Sequence, residues 1–187
     1  MVDVGSDAAL LVVDVQQGFD DPSWGPRNNP EAESNISLVL GRWRETGRPV
    51  FHVFHDSASP RSPLRPHTDG NAPKPEAKPR AGEGVYRKTV NSAFIGTGLE
   101  ADLRRAGIST LVVVGLTTNH CVSTTVRMAG NFGFQVYLLS DATATFDRVG
   151  LDGQNRSAAE VHAAALSDLD REFATVINTS ELLSQRR

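Results

Sequence analysis

Two short apolar runs limit the possible folds of this chain more than any other feature of the sequence. The first covers Ala8–Val13 and ends at Asp14, and the second covers Thr110–Val114 and ends at Gly115. Neither run alternates between apolar and polar residues, which is typical of strands that are buried on both faces of a parallel sheet. Such a sheet needs helices on both faces, so the sequence predicts an α/β fold.

The remaining segments alternate between strand and helix patterns. Further strands are predicted at residues 49–55, 85–88, 134–139 and 173–177. Four capping residues indicate helix starts. Thr97 and Ser157 each begin a capping box, Asn29 is followed by Pro30, and Asn178 precedes the last helix. This order predicts a single domain over residues 1–187, a three-layer sandwich with a parallel sheet in the middle.

The segment of about residues 56–84 differs from the rest of the chain. It contains six of the ten prolines and shows no helical or strand period. A long segment without secondary structure in a compact domain is typical of a lid or a binding loop. A surface excursion or an oligomer contact would give the same pattern, and the sequence leaves these alternatives open.

Charge and cysteine content exclude several classes of function. With 19 Lys and Arg against 22 Asp and Glu, the net charge is −3, so no basic excess is present to bind nucleic acid or a membrane surface. No apolar run approaches the ~20 residues that span a bilayer, and the acidic N-terminal segment makes a poor secretion signal. The single cysteine, Cys121, excludes an internal disulfide. We therefore expect a cytoplasmic protein that binds neither nucleic acid nor membrane.

Four polar residues lie at or just after the predicted strand ends: Asp14, Lys88, Cys121 and Asp141. Because sites in such sheets lie beyond the carboxyl ends of the strands, these residues are expected to converge. Desolvation beside the apolar run should raise the pKa of Asp14 towards that of a useful base. Each residue also has an alternative role outside a site: Asp14 could cap a turn through backbone amides, and Lys88 could be an ordinary solvated lysine.

Cys121 follows a polar strand-to-helix turn, Gly115–His120, and is expected in the first turn of a helix. Helix-start amides and a nearby cation would lower the pKa of its thiol, and the same amides could hold an oxyanion. The alternative is a small buried apolar residue. The adjacent His120 should point in another direction, which makes it a pocket or interface residue rather than the base for Cys121.

The histidines raise the question of a metal site. His52 and His55 have opposite parity on one strand, so they should face opposite sides of the sheet. His55, Asp56 and His67 together make only a weak metal pattern. The sequence therefore predicts no metal ligand.

Three motifs in order resemble those of the isochorismatase-like cysteine hydrolases. They are Ala9–Gln16, Lys88 with Ser92–Phe94, and Gly115–Val122, and the resemblance continues through Ser140–Ala144 and His162. It implies a Rossmann-like sheet of six parallel strands and a catalytic triad of Asp14, Lys88 and Cys121. It also implies a cis peptide between Leu116 and Thr117, with the amides of Thr117 and Cys121 as oxyanion hole.

The resemblance also implies a pocket aromatic at Phe19, and Trp24 is expected to shape the same pocket because it follows Asp14 in the chain. The candidate substrate-binding residues are Phe19, Trp24 and Asn119. Nicotinamidases of the metal-binding type carry an Asp-x-His arrangement after the second strand, whereas this chain has His55–Asp56. We therefore expect no cofactor and no metal. By resemblance, the partners are a small amide or ureido substrate and further copies of the chain, in a dimer or tetramer.

The expected activity is hydrolysis of a C–N bond through a thioester on Cys121. The first alternative is vinyl-ether hydrolysis of an isochorismate-like substrate, in which Asp14 acts as an acid and no covalent intermediate forms. The second is a non-catalytic binding protein on the same fold.

Overall fold

The computed structural model describes residues 4–184, so residues 1–3 of the acidic N-terminal segment lie outside the described part of the chain. Among the described residues, six strands form one fully parallel sheet in the order β3-β2-β1-β4-β5-β8, which confirms the predicted fold class. The strands are β1 (Ala9–Val13), β2 (Val50–His55), β3 (Gly84–Lys88), β4 (Thr110–Leu116), β5 (Gln135–Ala144), β6 (Arg148–Val149), β7 (Asn155–Arg156) and β8 (Thr175–Ile177). The α-helices are α1 (Ala32–Glu45), α2 (Leu99–Arg105), α3 (Ser123–Asn131), α4 (Ala158–Leu169) and α5 (Thr179–Leu183).

Strand β1 shows why the first apolar run does not alternate. Leu10 and Val12 pack into the core beneath α1 and α5, whereas Leu11 and Val13 pack into the core beneath α2, α3 and α4. All four side chains are at most 1% exposed. Burying one such side chain stabilises the fold by roughly 1.5–3 kcal/mol, so both faces of this strand hold the sheet in the middle layer.

Strands β1 and β4 approach each other closely at their carboxyl ends. Gly115 pairs with Val13 in the parallel register and has φ +125°. A Cβ on Gly115 would lie 1.9 Å from the Val13 carbonyl oxygen, so only glycine fits there. This approach brings the turn after β4 next to Asp14.

The pairing between β4 and β5 contains a register shift. Val113 pairs with Leu138, but Gly115, two residues further, pairs with Thr143. The extra residues of β5 bulge out of the ladder. Strand β5 consequently extends to Ala144, whereas the sequence predicted an end at Leu139.

Two of the predicted helix caps are wrong and two are confirmed. Ser157 and Asn178 each form a capping box. The Thr97 hydroxyl donates to the Ala93 carbonyl and accepts from the Leu99 amide at 3.4 Å, but it forms no capping box, and α2 begins with Gly98 as its N-cap. The Asn29 side chain does not cap α1, because it donates to two carbonyls of β5, those of Ser140 and Thr143.

The proline-rich segment 56–84 is anchored to the ends of β1 and β2. The Asn71 side chain is buried and donates to the carbonyl of His55 at 3.0 Å, and the side chain of Gln16 donates to the carbonyl of Asn71, also at 3.0 Å. The backbone amide of Lys74 donates to the chain just after β1. The segment therefore supports the strand ends on which the candidate site is built. The short antiparallel pair of β6 and β7 was not predicted.

Candidate active site

Four side chains come together at the carboxyl ends of four neighbouring strands. Lys88 is the last residue of β3, His55 is the last residue of β2, and Asp14 directly follows β1. Cys121 lies in the turn after β4. His55 and Lys88 are register partners, and Lys88 reaches past His55 to Asp14. Of the four residues predicted to converge, the structure thus brings together Asp14, Lys88 and Cys121.

Asp14 and Lys88 form a buried ion pair. The Lys88 ammonium donates to Asp14 Oδ2 at 2.5 Å, and the two side chains are fully buried. Asp14 Oδ1 is also buried but has no hydrogen-bond partner among residues 4–184. Burial raises the pKa of Asp14 to about 6, although Lys88 acts to lower it. This is the direction expected from the sequence, and it leaves the carboxylate with one oxygen available to a proton.

Cys121 lies in a single π-helical turn, Thr118–Val122, that leads into α3. The Leu116–Thr117 peptide before this turn is cis, as the resemblance implied. The Cys121 thiol lies 3.8 Å from Asn91 Oδ1 and within 4.8 Å of an Asp14 carboxylate oxygen.

The expectation of a lowered thiol pKa is wrong. Burial, together with the charge of Asp14, raises the pKa of Cys121 to about 12, against the lowering effect of Lys88. Both effects disfavour the thiolate, because a buried anion beside a carboxylate is poorly stabilised. The sulfur therefore keeps its proton at neutral pH until a base removes it.

One group of side chains could in principle share a metal ion. A carboxylate oxygen of Asp14, a ring nitrogen of His55 and the sulfur of Cys121 lie within 4.8 Å of one another. The Lys88 ammonium is hydrogen-bonded to Asp14 and, at 3.1 Å, to His55 Nδ1. A cation already sits between two of the three ligands, so these residues fit a metal ion poorly. Asp56 and His67 are not part of this group.

The predicted substrate-binding aromatics lie in one cluster with Phe146. The ring centroids of Phe19, Trp24 and Phe146 are 5.2–6.2 Å apart. The cluster packs against Leu116, the residue before the cis peptide bond. Asn119 accepts a hydrogen bond from the Thr145 hydroxyl at 2.5 Å, which ties the cysteine turn to the chain after β5.

Asp141 does not belong to the site. Its Oδ1 accepts hydrogen bonds from the amide and hydroxyl of Thr179, both at 2.8 Å, so it anchors the start of α5. The prediction failed because β5 continues past Asp141, and the strand end lies elsewhere. His120 is exposed and its ring contacts Arg148, the first residue of β6, so it stays a candidate pocket or interface residue.

Sequence reasoning left three residues out of this region. His55 was considered only as a weak metal ligand, although it ends a strand, as Lys88 does, and could have been placed here by the same rule. Phe146 follows β5, but the end of that strand was predicted too early. Asn91 carries no pattern in the sequence, because its place beside the thiol depends on the path of the chain after β3.

Comparison with known proteins identifies the family. The isochorismatase domain model matches residues 8–181. The isochorismatase family protein YrdC of Bacillus subtilis is 50% identical over 179 residues, which cover 94% of each chain. The crystal structure of an isochorismatase-family protein from Chromobacterium violaceum is 49% identical with a TM-score of 0.95, covering 98% of this chain and 95% of the other. Nicotinamidase 3 of Arabidopsis thaliana is 29% identical over 188 residues, covering 94% of this chain and 86% of the relative.

The parallel α/β sandwich thus holds a buried carboxylate, an ammonium and a thiol together at its strand ends. This chain belongs to the isochorismatase family of hydrolases. Within residues 4–184, no helix combines the length and the apolar character needed to cross a membrane.

Proposed function

We propose that this chain hydrolyses the C–N bond of a small amide or ureido compound through a thioester on Cys121. The observation that carries the proposal is the buried Asp14 carboxylate. It keeps one oxygen without a partner in the described structure and lies within 4.8 Å of the thiol. A base with a pKa of about 6 next to a protonated thiol is suited to general base catalysis at neutral pH.

The first half of the reaction forms the thioester. Asp14 takes the thiol proton while the Cys121 sulfur attacks the substrate carbonyl carbon, and the carbonyl oxygen becomes an oxyanion. The amides of Thr117 and Cys121 stabilise this oxyanion. Asp14 then returns its proton to the leaving nitrogen, the C–N bond breaks, and ammonia or an amine departs.

The second half releases the acid. Asp14 removes a proton from a water molecule, and the resulting hydroxide attacks the thioester carbonyl. The C–S bond breaks, the carboxylic or carbamic acid leaves, and Asp14 returns the proton to the sulfur. In both halves Lys88 stabilises the negative charge as it passes between carboxylate and sulfur.

Three further observations support the proposal. Nicotinamidase 3, a relative over most of the chain, is named for an amide substrate. The nucleophile is present in this chain as its single cysteine, and covalent catalysis depends on it. The aromatic cluster of Phe19, Trp24 and Phe146 next to the cis peptide provides an apolar wall for a small organic substrate.

Ammonia release from a panel of small amides and ureas tests the proposal. For any substrate found, we expect Cys121→Ala to lower kcat/KM by at least about a thousandfold, because the covalent route is lost. Intact-protein mass spectrometry of the wild type should show the acyl adduct on Cys121. Hydrolysis at the wild-type rate by Cys121→Ala contradicts the proposal. Activity that survives in Cys121→Ser but not in Asp14→Asn indicates acid catalysis without a covalent intermediate.

A further inference from the structure

His55 contacts Lys88 in a way that the Asp14, Lys88 and Cys121 triad does not explain. Its Nδ1 lies 3.1 Å from the Lys88 ammonium, at the end of the strand that separates β3 from β1. The backbone of His55 is held on both sides by one side chain. Gln16 accepts from the His55 amide at 2.8 Å and donates to its carbonyl at 3.1 Å. The imidazole is therefore presented to Lys88 from a clamped strand end.

The chemistry of the contact determines the tautomer of the ring. A lysine ammonium has three donors and no acceptor, so His55 Nδ1 must accept the hydrogen bond. The ring is neutral at ordinary pH, because burial and the charge of Lys88 lower the pKa of His55 to about 4, although Asp56 acts to raise it. Asp56 is itself paired with Arg87 at 2.6 Å. A neutral ring that accepts at Nδ1 carries its proton on Nε2.

Two of the three donors of Lys88 can then be assigned. One goes to Asp14 Oδ2 and one to His55 Nδ1. The same ammonium also acts on Cys121, because its charge favours ionisation of the thiol. Without an acceptor at His55, one buried donor would lose its partner, and the ammonium would be free to turn away from the sulfur.

We infer that His55 is a positioning residue, which accepts one hydrogen bond from Lys88 through Nδ1 and thereby aims the ammonium at Asp14 and Cys121. The inference rests on the proposed function, because it assigns His55 a part in ionising the nucleophile. His55 acts through Lys88 and does not itself exchange a proton with the substrate.

Two isosteric amides make a matched pair for the test. Asparagine can place its side-chain oxygen near the position of Nδ1, whereas glutamine places its amide near the position of Nε2. The readout is the rate of alkylation of Cys121 by iodoacetamide between pH 6 and 10, followed by intact mass, which needs no substrate. We expect His55→Asn to react like the wild type. His55→Gln should react roughly tenfold more slowly at each pH in this range, where the rate follows the small thiolate fraction of a thiol with a pKa of about 12. A tenfold change is the effect of losing one hydrogen bond from a charged donor.

His52→Leu is the control for the strand. His52 lies on β2 with opposite parity and is bonded to Glu83 at 2.8 Å, so its loss should leave the alkylation rate unchanged.

Once a substrate is identified, His55→Gln should lower kcat and leave KM near the wild-type value, and His55→Asn should restore kcat. Equal alkylation rates in the Asn and Gln variants overturn the inference. Failure of the proposed function is a separate result, namely hydrolysis that persists in Cys121→Ala.

Discussion

Two buried lysines, Lys74 and Lys88, each pair with carboxylates in this protein, and the two pairs are built for different purposes. The lysine residues are 5% and 2% exposed. Lys88 binds Asp14 at the carboxyl end of β1. Lys74, in the proline-rich segment, binds Asp20 at 2.5 Å and Glu33 of α1 at 2.8 Å.

The carboxylates differ in how many donors they receive. Glu33 accepts from both terminal nitrogens of Arg27, at 2.8 and 2.7 Å, and from Lys74. Although burial acts to raise it, these bonds lower the pKa of Glu33 to about 2. Asp14 receives one bond from Lys88, and burial raises the pKa of Asp14 to about 6.

The comparison shows what separates a structural ion pair from one that can do chemistry. At Glu33 three donors satisfy both oxygens, so the group stays ionised and joins α1 to the segment 56–84. At Asp14 one oxygen is left without a partner in the described part of the chain. The pKa of Asp14 therefore stays high enough for the carboxylate to act as a base. The incomplete set of donors around Asp14 is thus a property of the candidate site.

The largest expected effect comes from changing each carboxylate to its amide. Asp14→Asn removes the base, and we expect kcat/KM to fall by about 10³ for a substrate from the amide panel. Glu33→Gln is the matched control, because it makes the same chemical change beside a buried lysine and should leave kcat/KM per folded molecule near that of the wild type. The kcat/KM values of both variants are measured well below their unfolding temperatures. A comparable loss in the two variants would show that the distinction between the pairs is wrong.

The next effect is on stability. Glu33→Gln leaves Arg27 and Lys74 without their shared carboxylate, and breaking a buried pair of this kind costs about 3 kcal/mol of unfolding free energy. Urea denaturation measures this loss. Adding Lys74→Met should recover part of it, since the two changes remove members of one network and are not additive. A loss below about 0.5 kcal/mol would place Glu33 among surface ion pairs instead.

The same comparison shows how much of the site was predictable. Asp14, Lys88 and Cys121 could be found because each lies at or soon after the end of a predicted strand, and the strand ends of a parallel sheet share one edge. The same rule wrongly predicted Asp141 in the candidate site, because the register shift between β4 and β5 is not visible in the sequence. The six-stranded fold did not depend on that detail, since β5 stays in the sheet on either side of the shift.

Features that depend on long-range polar contacts could not be predicted. The pairing of Lys74 with Glu33 joins residues 41 positions apart, and that of Asn71 with the end of β2 depends on the path of the segment between them. The thiol pKa was predicted in the wrong direction for the same reason. The helix start is visible in the local sequence, but burial and the charge of Asp14 act on Cys121 only after folding.

A pH series separates the two carboxylates by a smaller but distinct effect. Asp14 must be ionised to act as a base, so kcat/KM for a substrate that does not itself titrate should fall about tenfold for each pH unit below about 6. Glu33 has a folded pKa of about 2 against 4.5 for the free side chain, so its stabilising effect is complete above 4.5 and is lost as the pH falls towards 2.

The stability difference between the wild type and Glu33→Gln isolates this second effect, because titrating groups common to both proteins cancel. That difference should be constant from pH 7 to 5, while activity in the same interval drops, and should shrink only at lower pH. If activity and the stability difference declined together, the two carboxylates would be titrating alike, and the contrast in their donor sets would have no functional meaning.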